Sequence, residues 1–172
     1  MNSLRITAGK YRGRKIATPG GATHPMGERE RLALFNMIVN YVPGAKILDA
    51  FAGSGALGIE ALSRGAAEAI FIEKSAEACR VIRENLQNLD LAAEVWRGDV
   101  KKFTTENKFQ LILADPPYDN FEISEVTHLL QFLRGSGIFV LSHPGEAPEF
   151  AGMTLLKSRK YAGAGISVYL KG

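Results

Sequence analysis

The residues best suited to chemistry are Asp115-Pro116-Pro117-Tyr118. Two consecutive prolines fix the backbone and remove two N–H donors, leaving carbonyl oxygens as acceptors. The Asp115 carboxylate is a further acceptor, and Tyr118 offers an aromatic face. The exocyclic amino group of a nucleic-acid base needs such partners, because its lone pair is delocalised into the ring and is a poor nucleophile. Hydrogen bonds from the amine to Asp115 and the Pro116 carbonyl draw the nitrogen toward a pyramidal geometry. Stacking on Tyr118 is worth about 1–3 kcal/mol per base. A base held this way must be unpaired or flipped out. Asp115, Pro116, Pro117 and Tyr118 are therefore candidate catalytic residues for methylation of an amino nitrogen. Such catalysis rests on positioning and electrostatics, with no covalent intermediate.

A second constellation is Asp49-Ala-Phe51-Ala-Gly53-Ser-Gly55-Ala-Leu-Gly58, with Glu73 twenty residues beyond Gly53. Glycines let a strand-to-helix turn approach a ligand closely, and the helix start offers free N–H groups. A carboxylate at Glu73 suits a pair of ribose hydroxyls. The spacing also satisfies the dinucleotide fingerprint, so a dehydrogenase is an alternative. Asp49 argues against it: a carboxylate there favours a cationic ligand such as S-adenosylmethionine and disfavours a pyrophosphate. The dehydrogenase reading also leaves Asp115–Tyr118 without a role.

These residues must be positioned by regular elements. Residues 5–18 read as two short strands turning near Gly9–Gly13. Glu28 to Tyr41 has helical periodicity. Strands at Lys46–Ala50, Ala69–Glu73, Ala93–Arg97, Gln110–Ala114 and Gly137–Ser142 then alternate with helices at Ala56–Arg64, Ser75–Leu89 and Glu122–Leu133. Ser75 is the expected N-cap of its helix. The near-continuous apolar run of Gln110–Ala114 marks a strand covered on both faces. Thr154–Lys160 and Ile166–Leu170 read as two antiparallel strands around Tyr161–Gly165. The pattern predicts a doubly wound α/β sheet, Rossmann-like, mostly parallel and seven-stranded, with a C-terminal antiparallel hairpin and a small N-terminal β-hairpin. Ligands are expected at the carboxyl ends of the strands.

The 172 residues suit a single domain, with 1–27 a basic extension and 28–172 the catalytic core. No apolar run reaches the ~18–20 residues of a membrane span. The N-terminus does not read as a secretory signal, so a cytoplasmic protein is expected. Cys79 is the only cysteine, and His24, His128 and His143 show no ligand spacing, so no metal is expected. The net charge of +3 is uneven: residues 1–31 hold seven basic and two acidic side chains, leaving −2 for the rest. A basic segment on a mildly acidic body suggests a polyanionic partner; a solvated charged edge is the plainer alternative. Lys10, Arg12, Arg14, Arg29 and Arg31 are the candidate RNA-binding residues, positioning phosphates without choosing the base. Trp96 is either packing or the border of an adenine pocket. Asp99 is open between capping a turn and lying beside a cofactor.

Several stretches together resemble one family. They are Arg5-Ile-Thr-Ala-Gly-Lys-Tyr-Arg-Gly-Arg-Lys-Ile16, His24-Pro25, Arg29-x-Arg31-x-x-Leu34-Phe35-Asn36, the run from Asp49 to Ala66, and Asp115–Tyr118. Over nearly the whole chain they are similar to the RsmD family, bacterial methyltransferases of the exocyclic amino group of one guanine in 16S ribosomal RNA. The resemblance implies S-adenosylmethionine as cofactor. Asp49, Gly53 and Gly55 would lie at its methionine end, Glu73 at the ribose and Asp99 by the adenine, and Phe51 is a further cofactor-binding candidate. Asp115, Pro116 and Tyr118 would hold the guanine. The implied partner is 16S rRNA or an assembling 30S subunit; a monomer is expected. Met26, Gly27 and Leu32 depart from that family's usual threonines and acidic residue. Methylation of DNA adenine or cytosine, or a non-catalytic RNA-binding assembly factor, remain the alternatives.

Overall fold

The computed structural model describes residues 2–21, 25–161 and 163–172; His24 lies outside them. The chain opens with β1 (Ser3–Arg5) and β2 (Lys15–Ala17), paired antiparallel. α1 (Glu28–Met37) leads to β3 (Lys46–Ala50), α2 (Ala56–Ser63), β4 (Glu68–Glu73), α3 (Ala76–Asn88), β5 (Glu94–Arg97) and β6 (Phe109–Ala114). α4 (Ile123–Leu129), β7 (Leu133–His143), β8 (Met153–Tyr161) and β9 (Ala164–Lys171) complete it. The large sheet has the order β5-β4-β3-β6-β7-β9-β8. β3 to β7 run parallel, and β9 is antiparallel to both β7 and β8. The expected seven-stranded sheet with its C-terminal hairpin is this sheet.

Strand order reverses at β3, between β4 and β6, which opens a crevice at the carboxyl ends where such sheets bind ligands. The sheet separates two apolar layers. On one face Ile47, Phe71, Leu113, Val140 and Ile166 pack with α1, α2 and the N-terminal hairpin, whose Ile6 and Ile16 are buried in the same cluster. On the other, Leu48, Ile72, Ile112, Phe139 and Tyr169 pack with Val126 and Leu129 of α4. α3 forms as its residues dictate. Ser75 caps it, its Oγ accepting from Ala78 N at 3.2 Å, and Ala78, Val81, Ile82, Leu86 and Leu89 face inward.

Three boundaries differ from expectation. α1 stops at Met37 and tightens into a 3-10 turn at Val39–Tyr41. Ile38 leaves helical backbone at φ −117°, ψ 17°, and Pro43 has no N–H with which to extend an i→i−4 ladder. α4 ends at Leu129 with a 3-10 turn at Leu130–Phe132. β7 then starts at Leu133, before Gly137, because Leu133 pairs with Phe109 across an irregular register. The strand pairing captures Leu133, which local periodicity assigns to the helix, together with the stretch up to Gly137. No helix among the described residues is long and apolar enough to cross a membrane.

Candidate active site

The glycine loop leaves the end of β3 in a tight turn. Phe51, Gly53 and Gly55 all take left-handed backbone, at φ 58°, 57° and 82°. Phe51 is rare in this region, and such strain persists only where surroundings over-determine it. Here four backbone N–H groups do so. Ala52 N donates to Ile72 O at 2.9 Å and Gly55 N to Ala52 O at 2.7 Å. Gly53 N donates to Glu73 Oε2 at 2.8 Å, and Gly58 N to Asp49 Oδ2 at 2.8 Å. Gly58 carries no side chain because a Cβ would stand 2.3 Å from the Phe71 ring.

The three carboxylates of interest end three adjacent strands. Asp49 near the end of β3 is 1% exposed. Burial pushes its carboxyl well above the usual range, the Gly58 N–H pulls it down, and the negative charges of Asp115 and Glu73 push it up again. Asp49 thus lies in the field of both other acids. Glu73 ends β4, half-buried, with Oε1 accepting from Ser75 N at 2.9 Å. Each Glu73 oxygen thus takes one backbone N–H and keeps acceptor capacity for a ligand hydroxyl. Asp115 follows β6, and desolvation raises its carboxyl to about 6.

Around Asp115, Pro116 is buried, Pro117 is exposed and Tyr118 is half-buried. The Tyr118 hydroxyl meets Ser142 Oγ in a short hydrogen bond. The Ser142 hydroxyl also lies beside Asp115 and moderates its raised pKa. Ser142, at the end of β7 and 2% exposed, thus ties the aromatic face to the carboxylate. It was not among the sequence-derived candidates. A serine inside an apolar strand carries no spacing signal; only the parallel pairing of β6 with β7 brings it alongside.

Asp99 caps the turn Val100–Lys102, its Oδ1 accepting from Lys101 N at 2.9 Å. Trp96 packs edge-on against Phe103, with ring centroids 5.2 Å apart, and closes over Gly98. Both stand at the carboxyl end of β5, beside Glu73 in the sheet.

The basic candidates do not converge. Arg31 is corrected outright. It is 1% exposed and cannot meet phosphate: its Nε pairs with Glu60 Oε2 at 3.2 Å, and its guanidinium donates to the carbonyls of Arg5 and Met26. The physical reason is Glu60, buried in the middle of α2, which requires a cation beside it. Lys10, Arg12 and Arg14 are exposed, but their turn lies at the amino ends of the strands. Lys10 N donates to Ser63 O at the end of α2, and Arg14 Nη2 to Asn88 O at the end of α3. The 13 residues of α3 put that end ~20 Å from the crevice. Arg29, exposed in the first turn of α1, shares the crevice end, because the far end of α1 feeds the start of β3. Two shallow depressions, one around Tyr41 and Arg134 and one around Gln87 and Asp90, contain none of these residues; the carboxylates define the site instead. Among the described residues no group of His, Cys, Asp and Glu could hold a metal.

The chain resembles known proteins throughout its length. Residues 4–170 match the family described as "Conserved hypothetical protein 95". YlbH of Bacillus subtilis (strain 168), whose name classes it with rRNA methyltransferases, is 34% identical over 98% of this chain and 99% of its own. The "Ribosomal RNA small subunit methyltransferase D" of Escherichia coli (strain K12) is 36% identical over 74% of this chain and 67% of its own. The solved structure of yhhF from Escherichia coli, described as a methyltransferase, superposes with a TM-score of 0.90 at 30% identity, covering 99% of this chain and 98% of that one. With its glycine loop and Asp115–Tyr118 in the same crevice, the chain belongs to this family, the RsmD family.

Proposed function

We propose that this protein methylates the exocyclic N2 amino group of a guanine in 16S ribosomal RNA, using S-adenosylmethionine. The observation that carries the reading is the convergence of Asp49, Glu73 and Asp115 on one crevice beside Tyr118. Three carboxylates at neighbouring strand ends suit a ligand that brings positive charge, and S-adenosylmethionine carries a sulfonium and an ammonium. A dinucleotide pyrophosphate would add to the repulsion. Asp49, Phe51, Gly53 and Gly55 hold the methionine end, Glu73 the ribose hydroxyls, and Asp99 with Trp96 flanks the adenine. When bound, the cofactor supplies an electrophilic methyl group on its sulfonium.

The chain's own residues prepare the nucleophile. Tyr118 stacks on the flipped-out base. Asp115 and the Pro116 carbonyl accept hydrogen bonds from the amino group and aim its lone pair. Ionised Asp115 offers a resting place for the amine's surplus proton, and its pKa of about 6 leaves it mostly ionised at neutral pH. Arg29 steers phosphates at the crevice. Lys10, Arg12 and Arg14 meet a segment of the RNA other than the one carrying the target. The substrate is rRNA alone or an assembling 30S particle in the cytoplasm, and the enzyme acts as a monomer and as one domain.

The test is transfer of labelled methyl from S-adenosylmethionine to unmodified 30S particles and to 16S RNA, followed by mass analysis of the nucleosides. N2-methylguanosine is expected with the wild-type protein and none with Asp115→Ala. Methylated adenine or cytosine in DNA would replace this reading with the DNA alternative. Cofactor binding without turnover on any RNA would favour an assembly factor.

A further inference from the structure

β8 is the outer strand of the large sheet, and every residue from Thr154 to Lys160 is exposed. Its register with β9 sets Lys157 opposite Val168 and Arg159 opposite Ile166. Val168 and Ile166 belong to the layer that packs with α1, and directly paired residues share a sheet face. Lys157 and Arg159 therefore stand on the α1 face, roughly 6.8 Å apart along the strand. Lys160 falls on the opposite face, where it pairs with Glu146. Among the described residues Lys157 and Arg159 form no ion pair.

The register also relates these cations to the active site. Ile166 pairs with Arg159 on one side and with Ser142 on the other. Arg159 and Ser142 thus occupy the same rung and the same face, two strands or about 10 Å apart. Ser142 is the residue that holds the Tyr118 hydroxyl. Arg29, at the start of α1, lies on the same face at the same end of the sheet. The basic turn at Lys10–Arg14 is at the other end.

We infer that Lys157 and Arg159 of β8 grip the phosphate backbone of the RNA flanking the target nucleotide. This rests on the reading of the protein as an RNA methyltransferase. Charge is the argument for the occupant. Two unpaired cations at alternate positions on a bare strand face match a polyanion and repel a second copy of the same edge. The crevice itself is lined by carboxylates, so backbone contacts must come from beside it. β8 and Arg29 together supply a cationic flank while Tyr118 and Asp115 receive the base.

The test measures binding of the full-length protein to unmodified 30S particles and to a labelled 16S RNA fragment across a range of salt, alongside methyl transfer. For Lys157→Gln/Arg159→Gln, RNA affinity is expected to fall about tenfold, and the slope of log affinity against log salt to flatten by about 1–2. kcat at saturating RNA, S-adenosylmethionine affinity by calorimetry and the melting temperature stay at wild-type values. Lys157→Arg/Arg159→Lys retains wild-type RNA affinity. Unchanged affinity and salt slope in the Gln/Gln protein overturn the proposal. If that protein also self-associates, the two cations guard an edge strand instead. A wild-type protein that binds RNA but transfers no methyl refutes the enzymatic reading while leaving the binding comparison decisive for β8. A wild-type protein that binds no RNA refutes both.

Discussion

Asp115, the acceptor in the proposed reaction, also costs the fold stability. Its carboxyl titrates at about 6 in the folded chain against 3.8 for an ordinary aspartate, because the surrounding protein disfavours its charge. Between those values the folded chain binds a proton that the unfolded chain has released. Stability therefore falls as pH rises through this window and stays lower above it. Asp115→Asn should stabilise the ligand-free protein at pH 7.5 by up to about 3 kcal/mol, since each pKa unit between 3.8 and about 6 is worth about 1.4 kcal/mol. The gain should disappear below about pH 4, as read by urea denaturation, and methyl transfer should be lost at every pH. In the wild-type protein kcat/KM should decline as pH falls through about 6, where the acceptor becomes protonated. Ser142 makes a separate prediction. Its hydroxyl orients Tyr118, so Ser142→Ala should lower kcat roughly five- to tenfold, about 1–1.4 kcal/mol. S-adenosylmethionine affinity should not change. Wild-type kcat with a wild-type pH profile would reduce Ser142 to a packing residue.

At the scale of elements, the N-terminal hairpin is held to the core by a buried ionic cluster. Glu60 of α2 takes the backbone N–H groups of Thr7 and Ala8 at 3.0 and 3.1 Å. It also pairs with Arg31 of α1 and with Arg64, whose guanidinium lies 4.7 Å from the Phe35 ring centre. One carboxylate thus joins the segment after β1 to two helices. Arg31→Ala leaves that carboxylate short of a partner and should destabilise the fold by about 3–5 kcal/mol. Equilibrium denaturation measures this, and the loss should persist in high salt, since the pair is buried. An RNA-contacting arginine would show the reverse, with unchanged stability and weaker, salt-dependent binding. The periodicity that reveals α1 says which face is buried, but Arg31 sits among charged neighbours and gives no local sign of pointing inward.

At the scale of the whole molecule, the two ends of the sheet divide the labour. The carboxyl ends gather the glycine loop, the three acids, Tyr118, Arg29 and Arg159. The amino ends carry the basic turn at Lys10–Arg14. Lys10→Glu/Arg12→Glu should leave kcat/KM on a short RNA bearing the target within about twofold, because ~20 Å separates the turn from the crevice. The same protein should lose activity on 30S particles, where a second RNA segment is present to meet it. Equal losses on both substrates would place the turn at the target after all.

The candidate site was legible in the sequence because each of its motifs is local. Asp49, Gly53, Gly55 and Gly58 lie on one strand–loop–helix turn, and Asp115–Tyr118 is a continuous tetrapeptide. Alternating apolar strands and amphipathic helices determined the doubly wound sheet, which must carry both motifs at one end. What only the tertiary structure decided are relations between distant segments. Parallel pairing of β6 and β7 brings Ser142 to Tyr118. Antiparallel addition of β9 and β8 sets Arg159 on the rung of Ser142. Packing of α1 on α2 buries Arg31 against Glu60. Charge along a chain shows how much cation a segment holds, but its direction depends on which partner folding places beside it. The pair of motifs therefore needed only sequence, while the surface we infer to meet RNA needed the sheet's register.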